Sequence, residues 1–417
     1  MASLAAPLQS AQALPRELRR ALRRSERREH WRALVLVLPL FAFLLASFVV
    51  PIGAMLARAF VDTDVARILP HVTAQLRHWD GRALLPDAAY GAMVTDLRAA
   101  REAGTLASAA TRLNYDVPGF RTLLVATGRR VAEGRIDSPR ATLIAADPKW
   151  GERETWAAIR RAGGTVTDFF LLAALDLHRD ANDAIVPVPA EQSVFRNVLG
   201  RTVWIAFVVT FACLLLGYPV ALFIARQPPQ RAALLLFLVL LPFWTSLLVR
   251  TLAWVVLLQR NGVLNNLLVS LGIVHEPLRM IFNRFAVYVA MVHVLLPFMV
   301  LPLYAVMKGI APSYLRAAAS LGAPPFMAFR RVYLPQTLPG IAAGCLMVFI
   351  QALGYYITPA LVGGADDQMI SYFIAFYASR TVNWGMAAAL SIMLLAATLA
   401  LYAVYNRMIG LDKLRMA

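Results

Sequence analysis

The sequence is short of cysteine, short of charge and shortest of acid. It has two cysteines in 417 residues, Cys213 and Cys345. Both lie inside apolar runs, which argues against a disulfide framework or a thiolate metal cluster. Charged residues make up 16% of the chain, where a soluble domain carries about 25%. Acidic residues number 24 against 41 Lys and Arg, and none falls inside a long apolar run. A Gly-x-x-x-x-Gly-Lys-Ser/Thr phosphate loop is missing too, so the chain does not bind a nucleotide by that device. What is abundant is apolar surface: 59% of residues are hydrophobic and the mean hydropathy is +0.60. Such a composition describes an all-α polytopic membrane protein.

Six runs reach the about 20 residues that a helix needs to cross a bilayer core. They are 34–57, 198–225, 232–258, 285–307, 338–361 and 386–404. Their prolines, Pro39, Pro219, Pro242, Pro297 and Pro359, mark kinks or gaps in a bundle. Arginine bias sets the orientation. The basic segment 1–30, the connection "RQPPQR" at 226–231, the loop carrying Arg316, Arg330 and Arg331, and the tail "NRMIGLDKLRMA" are expected in the cytoplasm. With six spans both termini lie inside. A cleavable signal peptide fits poorly, since its basic region would be too long and no small-residue cleavage site precedes Arg58. The positive charge is read as a cytoplasmic rim beside lipid, not as a nucleic-acid surface.

Between the first span (31–59) and the second lies a polar insert, 60–195. It holds 17 of the 24 acidic and 16 of the 41 basic residues, a balance of −1 against +18 elsewhere. That split predicts an outer domain beside a basic inner rim. "TDLRAAREAGTLASAATRL" from Thr95 and "WGERETWAAIRRAGG" from Trp150 space their apolar residues as helices do. "DVPG" and "DSPR" read as turns, so the insert is expected to be mainly helical. His71, His78 and His178, with His30 before the insert, lack metal-ligand spacing and are read as solvated surface.

The segment 315–340, "LRAAASLGAPPFMAFRRVYLPQTLPG", interrupts two apolar runs. Pro312 suits a helix start. Ala317, Ala318, Ala319, Gly322 and Ala323 offer a small-residue face, and Gly322, Pro324 and Pro325 turn the chain. Phe326, Phe329, Val332 and Leu334 are expected to anchor a second short helix at the membrane surface. The residues alone allow either a docking element or a plain interfacial amphipathic helix.

This segment resembles the cytoplasmic loop of permease subunits of type I ABC importers. The family pattern is Glu-Ala-Ala, three residues, Gly, a spacer, a hydrophobic residue, one more residue and Leu-Pro. Ala317, Ala318, Gly322, Val332, Leu334 and Pro335 fall on it, while Arg316 stands where the family has glutamate. "LPFWTSLLVRTLAWVVLLQRNGVLNNLL", "LLPFMVLPLYAVMKGI" and "PALVGGADDQMI" are similar to the spermidine/putrescine branch. The resemblance spans 196–411 and implies a five-helix permease core with a coupling loop at 311–336. It implies docking by Arg316, Ala317, Ala318, Gly322, Ala323, Leu334 and Pro335 onto a separate ATPase dimer, which uses the ATP. This chain needs no cofactor of its own. The resemblance also implies a second permease, an outer solute-binding protein, and alternating access driven by ATP.

Arg250 lies about eight residues, roughly 12 Å of helix, from the outer end of its expected span. It either lines the pathway, snorkels or pairs with another chain. Trp244, Thr245, Thr251 and Trp254 neighbour it, and Tyr355, Tyr356 and Thr358 form a second polar-aromatic group before Pro359. Aromatics hold ammonium groups by cation–π contact; ordinary packing explains them equally. Polyamine-type permeases commonly carry an acid before the Leu-x-Gly-Gly turn, where this chain has Ala360. The outer ends gather Arg196, Arg201, Arg260, Arg279, Arg284 and Arg380 against Glu276, Asp366 and Asp367. Polyamine is therefore the first expectation for the solute. An anionic or zwitterionic solute, such as an amino-acid derivative, opine or phosphonate, is the second. A membrane enzyme or sensor built on the insert lacks, respectively, a nucleophile–base pair and a cytoplasmic output domain.

Overall fold

The computed structural model describes residue 31 and residues 35–81, 83–133, 136–180, 183–191 and 193–409. The basic segment 1–30, and with it His30, lies outside the described residues, as does the tail beyond 409. The chain divides into two compact units, Met1–Ala57 and Arg58–Ala417. In the first, helix α1 (Val35–Ala57) is apolar throughout and long enough to cross a membrane. Its hydrogen bonding slips to a π turn at Leu45–Val49.

The second unit begins with the insert, which is helical apart from one hairpin. Its helices are α2 (Asp64–Ile68), α3 (Pro70–Leu76), α4 (Asp87–Glu102), α5 (Leu106–Asp116), α6 (Phe120–Glu133), α7 (Pro139–Ala146), α8 (Arg153–Ala162) and α9 (Phe169–Ala174). They close around Leu69, Met93, Leu97, Leu113, Leu124, Trp150 and Trp156. Both buried indoles are satisfied: Trp150 Nε1 donates to Thr127 Oγ1 at 2.9 Å, and Trp156 Nε1 to the Trp150 carbonyl at 2.9 Å. The stretch from Thr95 is two helices rather than one, because Gly104 adopts φ +68° between them. The second predicted helix starts at Arg153, after a 3₁₀ turn at Pro148–Gly151. His71 is exposed at its ring but bonded, with Nδ1 2.6 Å from buried Asp96 Oδ1.

Arg112 is buried at the insert's base. It pairs with Asp62 and Asp116 and lies 4.4 Å over the Phe169 ring. Burial pushes the Asp116 carboxyl up, with Arg112 and Arg161 pulling it back. Strands β1 (Leu177–Arg179) and β2 (Ile185–Pro187) pair antiparallel, Leu177 opposite Pro187. Asp176 then reaches the first turn of the next helix. Its carboxylate accepts from Ser193 Oγ at 2.9 Å and from the amides of Val194, Phe195 and Arg196 at 3.1, 3.0 and 2.8 Å. A carboxylate there answers both the orphan amides and the positive helix end.

The bundle follows: α10 (Phe195–Ala225), α11 (Pro229–Leu240), α12 (Leu247–Leu258), α13 (Val263–Ser270), α14 (Arg284–Gly309), α15 (Ser313–Ser320), α16 (Pro325–Gly354), α17 (Ile357–Val362), α18 (Ile370–Ser379) and α19 (Trp384–Ile409). Together with α1, five of its helices, counting 247–270 as one, are long and apolar enough to cross a membrane. The centre is α14 packed on α10 and α16. Small residues bring the backbones together: a Cβ on Gly217 or Gly344 would lie 2.9 or 2.7 Å from the Met299 side chain.

Two spans expected as single helices are interrupted. The run 232–258 breaks at Thr245–Ser246, both extended, after a 3₁₀ turn that contains Pro242. The run 338–361 breaks at Tyr355–Tyr356. The insert is joined to the bundle through a third cluster, in which Phe170 and Ala174 pack with Val198, Ile370, Met386 and Leu390.

Candidate functional site

Three places in the bundle carry candidate function. At the interruption between the fourth and fifth long helices, α15 ends in a turn that only its sequence explains. The Gly322 amide donates to the Ala319 carbonyl at 2.9 Å, and the Ala323 amide to the Ala318 carbonyl at 3.0 Å. Gly322 has φ +81°. This is a Schellman ending, whose left-handed residue favours glycine. The turn projects Leu321, 89% exposed, beside exposed Tyr314, Phe326 and Met327.

Of the predicted docking residues, Arg316, Ala317, Gly322 and Pro335 are exposed, and Ala323 and Leu334 half-buried. Ala318 is turned inward and buried. It belongs to the chain's own packing, so the small-residue face is narrower than the sequence suggests. The second half is not a separate short helix. It runs through a π turn at Phe329–Tyr333 straight into α16. Phe329 does not anchor to a surface but stacks on Tyr333, centroids 5.8 Å apart, and meets Tyr218 edge-on.

The second place is where the two interrupted spans meet. Thr251 and Thr358, both fully buried, share a hydroxyl hydrogen bond of 3.2 Å. Irregular backbone at membrane depth survives only against protein or a cavity, and here each break lies beside the other span. Arg250, Trp254 and Tyr355 come together with His293 of α14. Trp254 Nε1 donates to His293 Nδ1 at 3.2 Å, which leaves the imidazole proton on Nε2. The Arg250 charge acts on both His293 and Tyr355. The Arg250 side chain is half-buried, and its Nε and Nη1 are buried and donate to no acceptor among the described residues. An arginine inside a span is costly, about 2.5–3.5 kcal/mol where it sits at the bilayer centre on an insertion scale, and so is a functional candidate by default.

Trp244 and Thr245 stand apart from this group. Trp244 is exposed and meets Phe237 edge-on, and Thr245 Oγ1 bonds the Pro242 carbonyl at 2.8 Å. Tyr356 is 41% exposed. His293 was the member that sequence reasoning missed. Its signal was an ionisable residue inside an apolar run, which is a functional candidate by default.

The third place is the turn at 363–368. Arg201 donates through Nη1 to the Asp366 carbonyl and through Nη2 to that of Gln368, the latter at 2.6 Å. Arg284 Nε bonds Asp367 Oδ1 at 2.9 Å, and Asp367 Oδ2 accepts the Gly364 amide at 3.1 Å. Two of the arginines that the sequence assigned to an outer field are thus staples for this turn. Arg260, Arg279 and Arg380 remain exposed.

A family model described as "Binding-protein-dependent transport system inner membrane component" matches residues 195–411. The spermidine/putrescine transport system permease protein PotB of Haemophilus influenzae is 38% identical over 251 residues, 58% of this chain and 87% of that protein. PotB of Escherichia coli is 40% identical over 201 residues, 48% and 73% of the two chains. A solved bacterial ABC transporter involved in the import of the acidic polysaccharide alginate aligns at TM-score 0.44 and 20% identity, covering 53% of this chain and 80% of that one. From residue 195 onward, then, the chain belongs to the binding-protein-dependent transport system inner membrane components, the permease subunits of ABC importers.

Proposed function

We propose that this permease subunit imports a polyamine, pairing with a second permease around the pathway and coupling to a separate ATPase dimer through the turn at Gly322. An outer binding protein delivers the solute, and both termini and the 311–336 loop face the cytoplasm. The observation that carries the solute assignment is the 38–40% identity to permeases named for spermidine and putrescine, over most of their lengths. The structure removes part of the case against it. Arg201 and Arg284 are committed to the 363–368 turn, so the outer arginine field is weaker than a residue count implies. The exposed Leu321 and Phe326 beside Arg316 suit a partner groove that takes an apolar knob.

The second reading, an anionic or zwitterionic solute, rests on Arg250. The test is reconstitution of this chain with its second permease, ATPase and binding protein in liposomes. ATP-driven accumulation of labelled spermidine or putrescine, without uptake of phosphonates or opines, supports the first reading. The reverse selectivity refutes it.

A further inference from the structure

Arg250 is the least explained charge in the bundle. Its Nε and Nη1 are buried with no acceptor among the described residues, on a side chain that is half-buried as a whole. Trp254, His293 and Tyr355 lie around it, and none of them is a carboxylate; His293 Nδ1 already accepts from Trp254. None of the six long helices contains an Asp or Glu. Nearer the ends of the spans, Asp367 is taken by Arg284, and Glu276 and Asp366 are exposed in connections. A guanidinium partly buried in a span favours a negative partner, and the described residues of this chain offer none within reach of it.

We infer that the counter-charge is a carboxylate side chain on the second permease, and that this permease carries the pathway's intramembrane acids. The inference rests on the proposed polyamine solute in one respect. A polycation cannot neutralise Arg250 and would be repelled by it, so the pathway needs carboxylates for both tasks. The site is then incomplete in one subunit. Arg250 lies one turn past the Thr245–Ser246 break, with Leu248, Val249 and Leu252 exposed around it, so α12 has an open flank there. An ion pair closing on that flank would hold the two permeases in register and lower the barrier to a cation.

The test uses the assembled importer. Arg250→Gln is made here, and each span Asp or Glu of the second permease is changed to Asn or Gln, singly and combined with Arg250→Gln. Thermal stability of the solute-free complex and uptake of spermidine are read separately. The expected result is that Arg250→Gln lowers uptake at least tenfold and destabilises the complex. One partner variant should do the same alone, and the combination should restore both to within about twofold. Arg250→Lys should stay near the parent in stability, which separates loss of charge from misfolding.

The proposal fails if the second permease has no acid in its spans, or if no neutral variant rescues Arg250→Gln. It fails too if Arg250→Gln impairs only an anionic solute, since the solute then supplies the charge. Rescue of stability in the absence of solute stands even if polyamine proves the wrong cargo, so the two failures are distinguishable.

Discussion

Gly322→Ala isolates the turn from its surroundings. Gly322 sits at φ +81°, and a Cβ built there meets no atom within 4 Å. The substitution therefore adds no clash and acts only through the backbone. An L-residue held left-handed costs about 1–2 kcal/mol, which lowers the population of the Schellman turn by a factor of about 5–30. Only that turn projects Leu321 between the two helices. If the ATPase reads this projection, solute-stimulated ATP turnover of the reconstituted complex should fall by a similar factor. Unfolding of the membrane bundle should not move. Gly272→Ala is the matched control, because Gly272 has φ +66° and equally open space in a connection outside the 311–336 loop. Turnover of Gly322→Ala equal to that of Gly272→Ala would refute the assignment.

Three further outcomes are expected. Asp176→Ala should lower the stability of the purified protein by about 3 kcal/mol, since it strips the acceptor from three helix-end amides; Asp176→Asn, which keeps an acceptor oxygen, should cost less, and equal losses would contradict the capping argument. Gly385→Val should force the Phe170 ring aside, because a Cβ there would lie 2.4 Å from Phe170 Cε2; adding Phe170→Ala should recover part of the about 1–3 kcal/mol overpacking cost, as a thermal-unfolding double-mutant cycle would report. Thr95→Cys, on an exposed position of α4, should react with an impermeant thiol reagent in intact cells; labelling only after permeabilisation would invert the orientation.

The spans were legible because lipid imposes a length and a composition that few other contexts share. Their interruptions were not. Pro242 marked a kink or gap without saying which, and what separates α11 from α12 is a pair of extended residues just after it, Thr245 and Ser246, whose types are neutral about that choice. In the insert, the apolar spacing across Gly104 continues a helical period, so periodicity carried the reading through a position where the backbone turns left-handed. The coupling-loop motif was visible residue by residue, yet a row of three alanines cannot say which one faces inward. Only the packing of α15 against Phe329–Tyr333 turned Ala318 inside.

Charge shows the same limit more sharply. Counted from the sequence, the arginines outside the insert look like one field favouring an anion. In the structure they separate by partner. Arg201 and Arg284 are bound to the 363–368 turn, and Arg196 uses its backbone on Asp176. Arg250 alone among those in the long helices' buried parts keeps Nε and Nη1 with no hydrogen bond at all to the described residues. A charge that is bonded to backbone contributes to shape, and its field is largely answered locally. A charge left unanswered inside a span is a functional candidate whose partner lies beyond the described residues. The number of arginines therefore says little about the cargo, whereas the single unanswered one restricts what the neighbouring subunit, or the solute, can be.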